Sequence, residues 1–181
     1  MPLMKKNNLR QRKPVLWMTI TALFMAMVIV LSMSVMSIPV PGGHLYFNDA
    51  VIGTASLLMD PLSAFLACGV GAFLGDALFY PAPMFVSLVT HGLQAVVVSL
   101  LFRKLKLKKP LAAAMALLAG AVIMVAGYTL GRAFVYSTPE TALVKLPFQC
   151  LQAGVGAVIA WVLCIPLGLE KRFHCIIHEG R

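Results

Sequence analysis

The chain has 181 residues, 60% of them apolar and 12% charged, with a mean hydropathy of +0.90 and a formal net charge of +9. Soluble domains carry about 45–50% apolar and about 25% charged residues, so this chain lacks the polar side chains to coat a water-facing surface. Four scattered cysteines without a C-x-x-C exclude a disulfide scaffold and the apolar content excludes disorder, which leaves an integral membrane protein.

In chain order, the Lys5–Lys13 stretch holds five of the fifteen basic residues, and residues 1–14 read as a basic cytoplasmic amino-terminal segment. A spanning helix needs about 20 mostly apolar residues, and Val15 to Ser37 supplies them. That run exceeds the roughly 7–15 residues of a signal-peptide core, so a retained helix is expected. Ile38 to Asn48 breaks the pattern with two prolines and two glycines, and its aromatic and polar content marks a loop that is more than a linker. Asp49 to Tyr80 is too long for one helix and breaks at Asp60-Pro61, giving a short helix and then a glycine-rich one. After the Pro81-Ala-Pro83 turn, Met84 to Phe102 spans again and ends in a second basic cluster, Arg103 to Lys109. Leu111 to Tyr136 is the fifth segment. Ser137-Thr-Pro-Glu140 turns the chain into the sixth, Thr141 to Leu169, with Pro147 near its start and Pro166 near its end. Residues 170–181 form a cytoplasmic tail carrying Lys171, Arg172 and Arg181.

The expected fold is therefore an all-α integral membrane protein, a six-helix membrane domain over 15–169 with six transmembrane helices. An even number of crossings puts the amino terminus, the Arg103–Lys109 loop and the carboxyl tail on one side. Thirteen of the fifteen basic residues then face the cytoplasm together, as the positive-inside rule favours. Clusters that abut apolar runs suit anionic headgroups and do not build the continuous basic face of a nucleic-acid binder. No convincing internal repeat supports an inverted-repeat transporter.

Ionisable groups within a membrane are costly and by default point to function. Counted at about 1.5 Å per residue from the outer turns, Asp76 lies roughly 7 Å deep, and His91 and Arg132 roughly 10 Å. Tyr128, Gln149 and Gln152 lie at roughly 12–16 Å. Arg132 reads as the one basic residue at membrane depth. The cytoplasmic halves of the last three helices hold almost nothing polar apart from Ser99. A pore needs polar lining throughout; one outer polar layer above an apolar seal makes a blind cup for a small polar molecule. The loop from His44 to Asn48 is placed to close over that molecule, with Tyr46 available to stack on a heteroaromatic ring.

Each of these residues has a structural alternative. His91 can bond one helix to another, Asp76 and Arg132 can form a buried ion pair, and Gln149 and Gln152 can act as interhelical glue. Tyr46 and Phe47 can be interfacial aromatics. Gly71-Ala-Phe-Leu-Gly75 and Gly127-Tyr-Thr-Leu-Gly131 fit G-x-x-x-G and are expected to let helices pack closely. The tail His174-Cys-Ile-Ile-His178 has no further ligand near it in sequence, so no metal is assigned. No P-loop, H-E-x-x-H or G-x-S-x-G is present.

Gly43-His-Leu-Tyr-Phe-Asn-Asp-Ala-Val-Ile52, the Asp60-Pro-Leu-Ser-Ala64 turn and Gly71-Ala-Phe-Leu-Gly-Asp-Ala77 resemble the substrate-binding S components of energy-coupling factor (ECF) transporters. The similarity continues through Gly127-Tyr128 and Leu146-Pro-Phe-Gln-Cys-Leu-Gln-Ala-Gly154, and so covers about residues 15 to 168. Ala22-Leu-Phe-Met-Ala26 is similar to the A-x-x-x-A by which S components pack on the T subunit. The resemblance implies a six-helix protein that binds a vitamin or related micronutrient from outside and has no chemistry of its own. It also implies docking on a transmembrane T subunit with two cytoplasmic ATPases, which hydrolyse ATP while this chain binds no cofactor. The branch it most resembles takes hydroxymethylpyrimidine, a thiamine precursor, and B6-type compounds. Substrate-binding residues are expected at His44, Tyr46, Asn48, Asp76, His91, Tyr128, Arg132, Gln149 and Gln152, and partner-binding residues at Ala22 and Ala26. The rival readings are a membrane-embedded enzyme acting on a lipid-linked substrate and a structural subunit whose polar groups merely pair.

Overall fold

A computed structural model describes residues 13–33, 37–41 and 43–179 of the chain. Most of the first basic cluster, residues 34–36 of the expected first helix, Gly42 of the loop, and Gly180 and Arg181 of the tail lie outside the described residues. The elements in order are α1 (Pro14–Leu31), the strands β1 (Ile38–Val40) and β2 (Gly43–Leu45), α2 (Asn48–Leu58), α3 (Pro61–Phe79), α4 (Met84–Lys104), α5 (Lys109–Tyr136), α6 (Pro139–Cys164) and α7 (Leu169–Glu179).

Five of the described helices, α1, α3, α4, α5 and α6, are long and apolar enough to cross a membrane. The expected sixth span is the short one. With 11 residues α2 reaches only about 16 Å, against the 30 Å of a bilayer core. Nine of its residues are buried, because it runs through the middle of the bundle between α4 and α6. Before α2 comes the segment expected to be an irregular loop. It folds into an antiparallel hairpin pairing Ile38 with Leu45, Pro39 with His44 and Val40 with Gly43. Two further boundaries differ from expectation. The first helix ends at Leu31 rather than Ser37, and the last span ends at Cys164, before Pro166. Pro147 lies inside α6, where it removes one backbone donor without ending the helix.

Local chemistry fixes the helix starts. Pro14, Pro61 and Pro139 each sit in the first turn, where the missing N–H costs nothing. Asp60 caps α3 by accepting from the Ser63 amide at 3.2 Å and hydroxyl at 2.6 Å, so the Asp60-Pro61 break is a built turn. Thr138 and Thr141 close a reciprocal capping box on α6. Both G-x-x-x-G pairs admit a neighbouring helix. Gly71 and Gly75 face Met25, Val28 and Ser32 of α1, and Gly127 and Gly131 face Thr90 and Val86 of α4.

One end of the bundle is tied by polar side chains. The Trp17 indole donates to Asp60 at 3.0 Å, Arg103 donates to the Met59 carbonyl at 2.6 Å, and Ser99 donates to the same carbonyl at 2.7 Å. Lys109 pairs with Glu170 at 3.0 Å, joining the start of α5 to α7. Burial by itself would raise the Asp60 carboxyl. The Ser63 hydroxyl and amide, the Trp17 indole and the Arg103 charge outweigh it and hold the group below the ordinary aspartate value. Arg103 to Lys109 and the base of α7, with Lys171 and Arg172, thus share this basic end. Above it lies a continuous apolar core that includes Ile52, Leu57, Ala67, Val98, Ala113, Ala116 and Cys164.

Candidate functional site

Beyond that core, toward the hairpin, the helices enclose a cavity of about 180 Å³. Its wall brings together all nine residues expected at a binding site: His44, Tyr46, Asn48, Asp76, His91, Tyr128, Arg132, Gln149 and Gln152. They come from the hairpin, the segment leading into α2 and five helices, α2 to α6, so no local stretch of sequence contains the site.

Three helices meet at one hydroxyl. Ser87 of α4, fully buried, donates to the Asp76 carboxylate of α3 and lies 2.5 Å from the Tyr128 hydroxyl of α5. Because the single Ser87 proton goes to the carboxylate, Tyr128 is the donor in the second bond. Asp76 thus bonds to Ser87, and among the described residues no ion pair between Asp76 and Arg132 is recorded. One helical turn deeper on α4, His91 is 1% exposed, with Nδ1 2.8 Å from Oε1 of Gln94. An amide oxygen only accepts, so Nδ1 carries a hydrogen. The ring packs 5.2 Å from that of Tyr128, tilted by 59°.

The glutamines are mixed in role. The Gln149 amide donates to the Val125 and Met124 carbonyls at 3.0 and 3.4 Å, so its nitrogen does act as interhelical glue while the side chain lines the cavity. Gln152 is engaged at both ends: Nε2 donates to Asp49 at 2.6 Å, and Oε1 accepts from the Tyr46 amide at 3.1 Å. It holds the hairpin onto α6. Arg132 begins a π-helical turn, Arg132–Tyr136, and its guanidinium stacks 5.3 Å from the centre of the Tyr136 ring.

Sequence reasoning missed Lys145. It is 3% exposed on α6, lines the cavity, and donates from Nζ to the His44 carbonyl at 2.5 Å. Arg132 is therefore not the one basic residue at depth. Its proximity to the α6 start concealed Lys145, although it lies four residues before Gln149 and seven before Gln152, on the same helical face. Tyr80 and Tyr136 also line the cavity and were signalled only by spacing, each four residues beyond Asp76 or Arg132. Gly43 has a φ of +146°, a conformation that favours glycine. A Cβ there would sit 3.6 Å from the Arg132 guanidinium and 4.0 Å from Lys145, so the hairpin tip lies directly over both cations. Ala22 and Ala26 lie elsewhere, both exposed and one turn apart on the outer face of α1.

The chain matches the family model described as ECF-type riboflavin transporter, S component, over residues 14–169. A search of curated proteins finds no match. The family match spans most of the length, and the chain belongs to the ECF transporter S component family. It is a multi-pass protein of the cell membrane and a substrate-binding transport subunit, not an enzyme. That family works with a T subunit and ATPase subunits on a small-molecule substrate. The description names riboflavin where the sequence resemblance favoured the pyrimidine and B6 branch.

Proposed function

We propose that the chain captures a heteroaromatic vitamin or vitamin precursor from outside the cell and passes it to a T subunit energised by two ATPases. The observation that carries this reading is one cavity with mixed donors and acceptors, capped by a hairpin and floored by apolar core. Tyr46, Tyr80, Tyr128 and Tyr136 offer ring faces around it. Asp76 accepts, while Arg132, Lys145 and the phenols donate. In this reading the basic end faces the cytoplasm, both termini lie there, and the short α2 with its hairpin counts as the sixth crossing. Ala22 and Ala26 present small side chains on an unburied helix face, as a close helix–helix contact with the T subunit requires.

Riboflavin is the first substrate to test, because the family description names it. A single-ring compound of the pyrimidine or B6 type is the second reading. The 180 Å³ cavity favours it, being smaller than the roughly 300–1,000 Å³ of sites for drug-sized ligands. Mass spectrometry of the compound that co-purifies with the chain, followed by titration with riboflavin, pyridoxine and hydroxymethylpyrimidine, separates the two. Failure to bind any of the three, together with no co-purified heteroaromatic compound, overturns the reading.

A further inference from the structure

Farther along the bundle, α2, α4, α5 and α6 line a small cavity of about 10 Å³. That is close to the roughly 10–15 Å³ that holds a single water molecule. Most of its wall is apolar, from Gly53, Val98, Leu117 and Ala153, and two polar side chains reach it: Asp49 and Gln94. Asp49 is 3% exposed, and its Oδ1 is buried without a hydrogen-bond partner among the described residues. A carboxylate oxygen left so in an apolar interior is costly, and a water with two polar partners relieves it.

We propose that one ordered water in this cavity bridges Asp49 Oδ1 to the side-chain amide of Gln94. The bridge completes a hydrogen-bonded line from the binding cavity to its lid. His91 Nδ1 donates to Gln94 Oε1, and the Gln94 amide nitrogen donates to the water. The water donates to Asp49 Oδ1, Asp49 Oδ2 accepts from Gln152, and Gln152 Oε1 accepts from the Tyr46 amide of the hairpin. Donation runs inward from both ends, from His91 through Gln94 and the water and from Tyr46 through Gln152, and the two arms converge on the Asp49 carboxylate, which accepts from each. His91 is in the cavity wall, and Tyr46 leads from the hairpin lid into α2. Resting on the binding reading above, the inference makes Gln94 and Asp49 positioning residues. Substrate that engages His91 acts on the hairpin through them.

Amide hydrogen exchange of the purified full-length chain, without added substrate, tests the relay apart from any substrate assignment. Gln94→Leu is expected to speed exchange of the segment 38–47 at least threefold while leaving 98–104 unchanged. Gln152→Leu is expected to do the same, and the double variant to add nothing further, because both cut one line. Ala121→Val, which adds bulk to the cavity wall without touching a polar link, is expected to reproduce the effect by displacing the water. In a high-resolution structure, density 2.7–3.2 Å from Asp49 Oδ1 and from the Gln94 amide shows the water itself. Unchanged exchange over 38–47 in Gln94→Leu and Ala121→Val, or additive effects of the two leucine variants, overturns the relay. Should no heteroaromatic compound bind while exchange behaves as expected, the relay stands and the substrate reading falls.

Discussion

Two glycines of α6, two residues apart, should respond oppositely to the same substitution. Around Gly154 nothing lies within 4 Å of an added Cβ. Gly154→Ala therefore gains only the helix preference of alanine, about 0.5–1 kcal/mol. Gly156 lies against the start of α2, where the same methyl would fall 2.5 Å from the Asp49 Cβ, 3.0 Å from its carbonyl carbon and 3.1 Å from the Ala50 nitrogen. Two of those three atoms are backbone, so α2 must move. Overpacking of this kind costs about 1–3 kcal/mol, against which the same helix preference of about 0.5–1 kcal/mol works. The two variants should then differ in stability by about 1–3 kcal/mol. At about 2–4 °C per kcal/mol for a chain of this size, Gly156→Ala should melt roughly 2–12 °C below Gly154→Ala in detergent. The displacement has a second consequence, because Asp49 holds Gln152 and Gln152 holds the hairpin. Gly156→Ala should weaken substrate binding as well, whereas Gly154→Ala should leave it intact. Equal melting temperatures for the two variants would refute the close α2–α6 packing from which the difference is worked.

Arg132→Ala should leave the chain folded and weaken binding at least tenfold, about 1.4 kcal/mol, since Asp76 keeps its Ser87 partner; unchanged affinity in a well-folded variant removes Arg132 from the site. Ala22→Trp with Ala26→Trp should abolish uptake and spare binding by the solitary chain, and loss of both would show that the pair serves the fold instead. Thiol labelling from outside intact cells should reach Ser137→Cys and Gly43→Cys but not Lys106→Cys; labelling of the last inverts the orientation. Asp60 has a folded value below its unfolded one of about 3.9, so its contribution is present above that value and lost as pH falls through the lower folded value. The melting temperatures of the wild type and Asp60→Asn should accordingly converge on acidification across that window, and a constant gap would exclude the linkage.

Composition and periodicity determined the membrane class, the Asp60-Pro61 break and the gathering of polar residues in one layer, because a bilayer leaves few solutions for a long apolar run. Asp76, His91 and Arg132 stand out in such runs for the same reason: a polar residue there needs a cause. Depth counting located them on single helices, but it says nothing of which way each side chain turns. Only the tertiary structure decided that Asp76 bonds to Ser87, since that depends on how α3, α4 and α5 rotate against one another. Lys145 escaped notice because sequence position near a helix start suggests an interfacial lysine, whereas the hairpin folding over it buries it and supplies the His44 carbonyl. The burial of α2 was equally hidden. Its sequence reads as a short helix before the Asp60-Pro61 break, but its burial between α4 and α6 comes from long-range packing at Gly53 and Gly156, which no local pattern encodes.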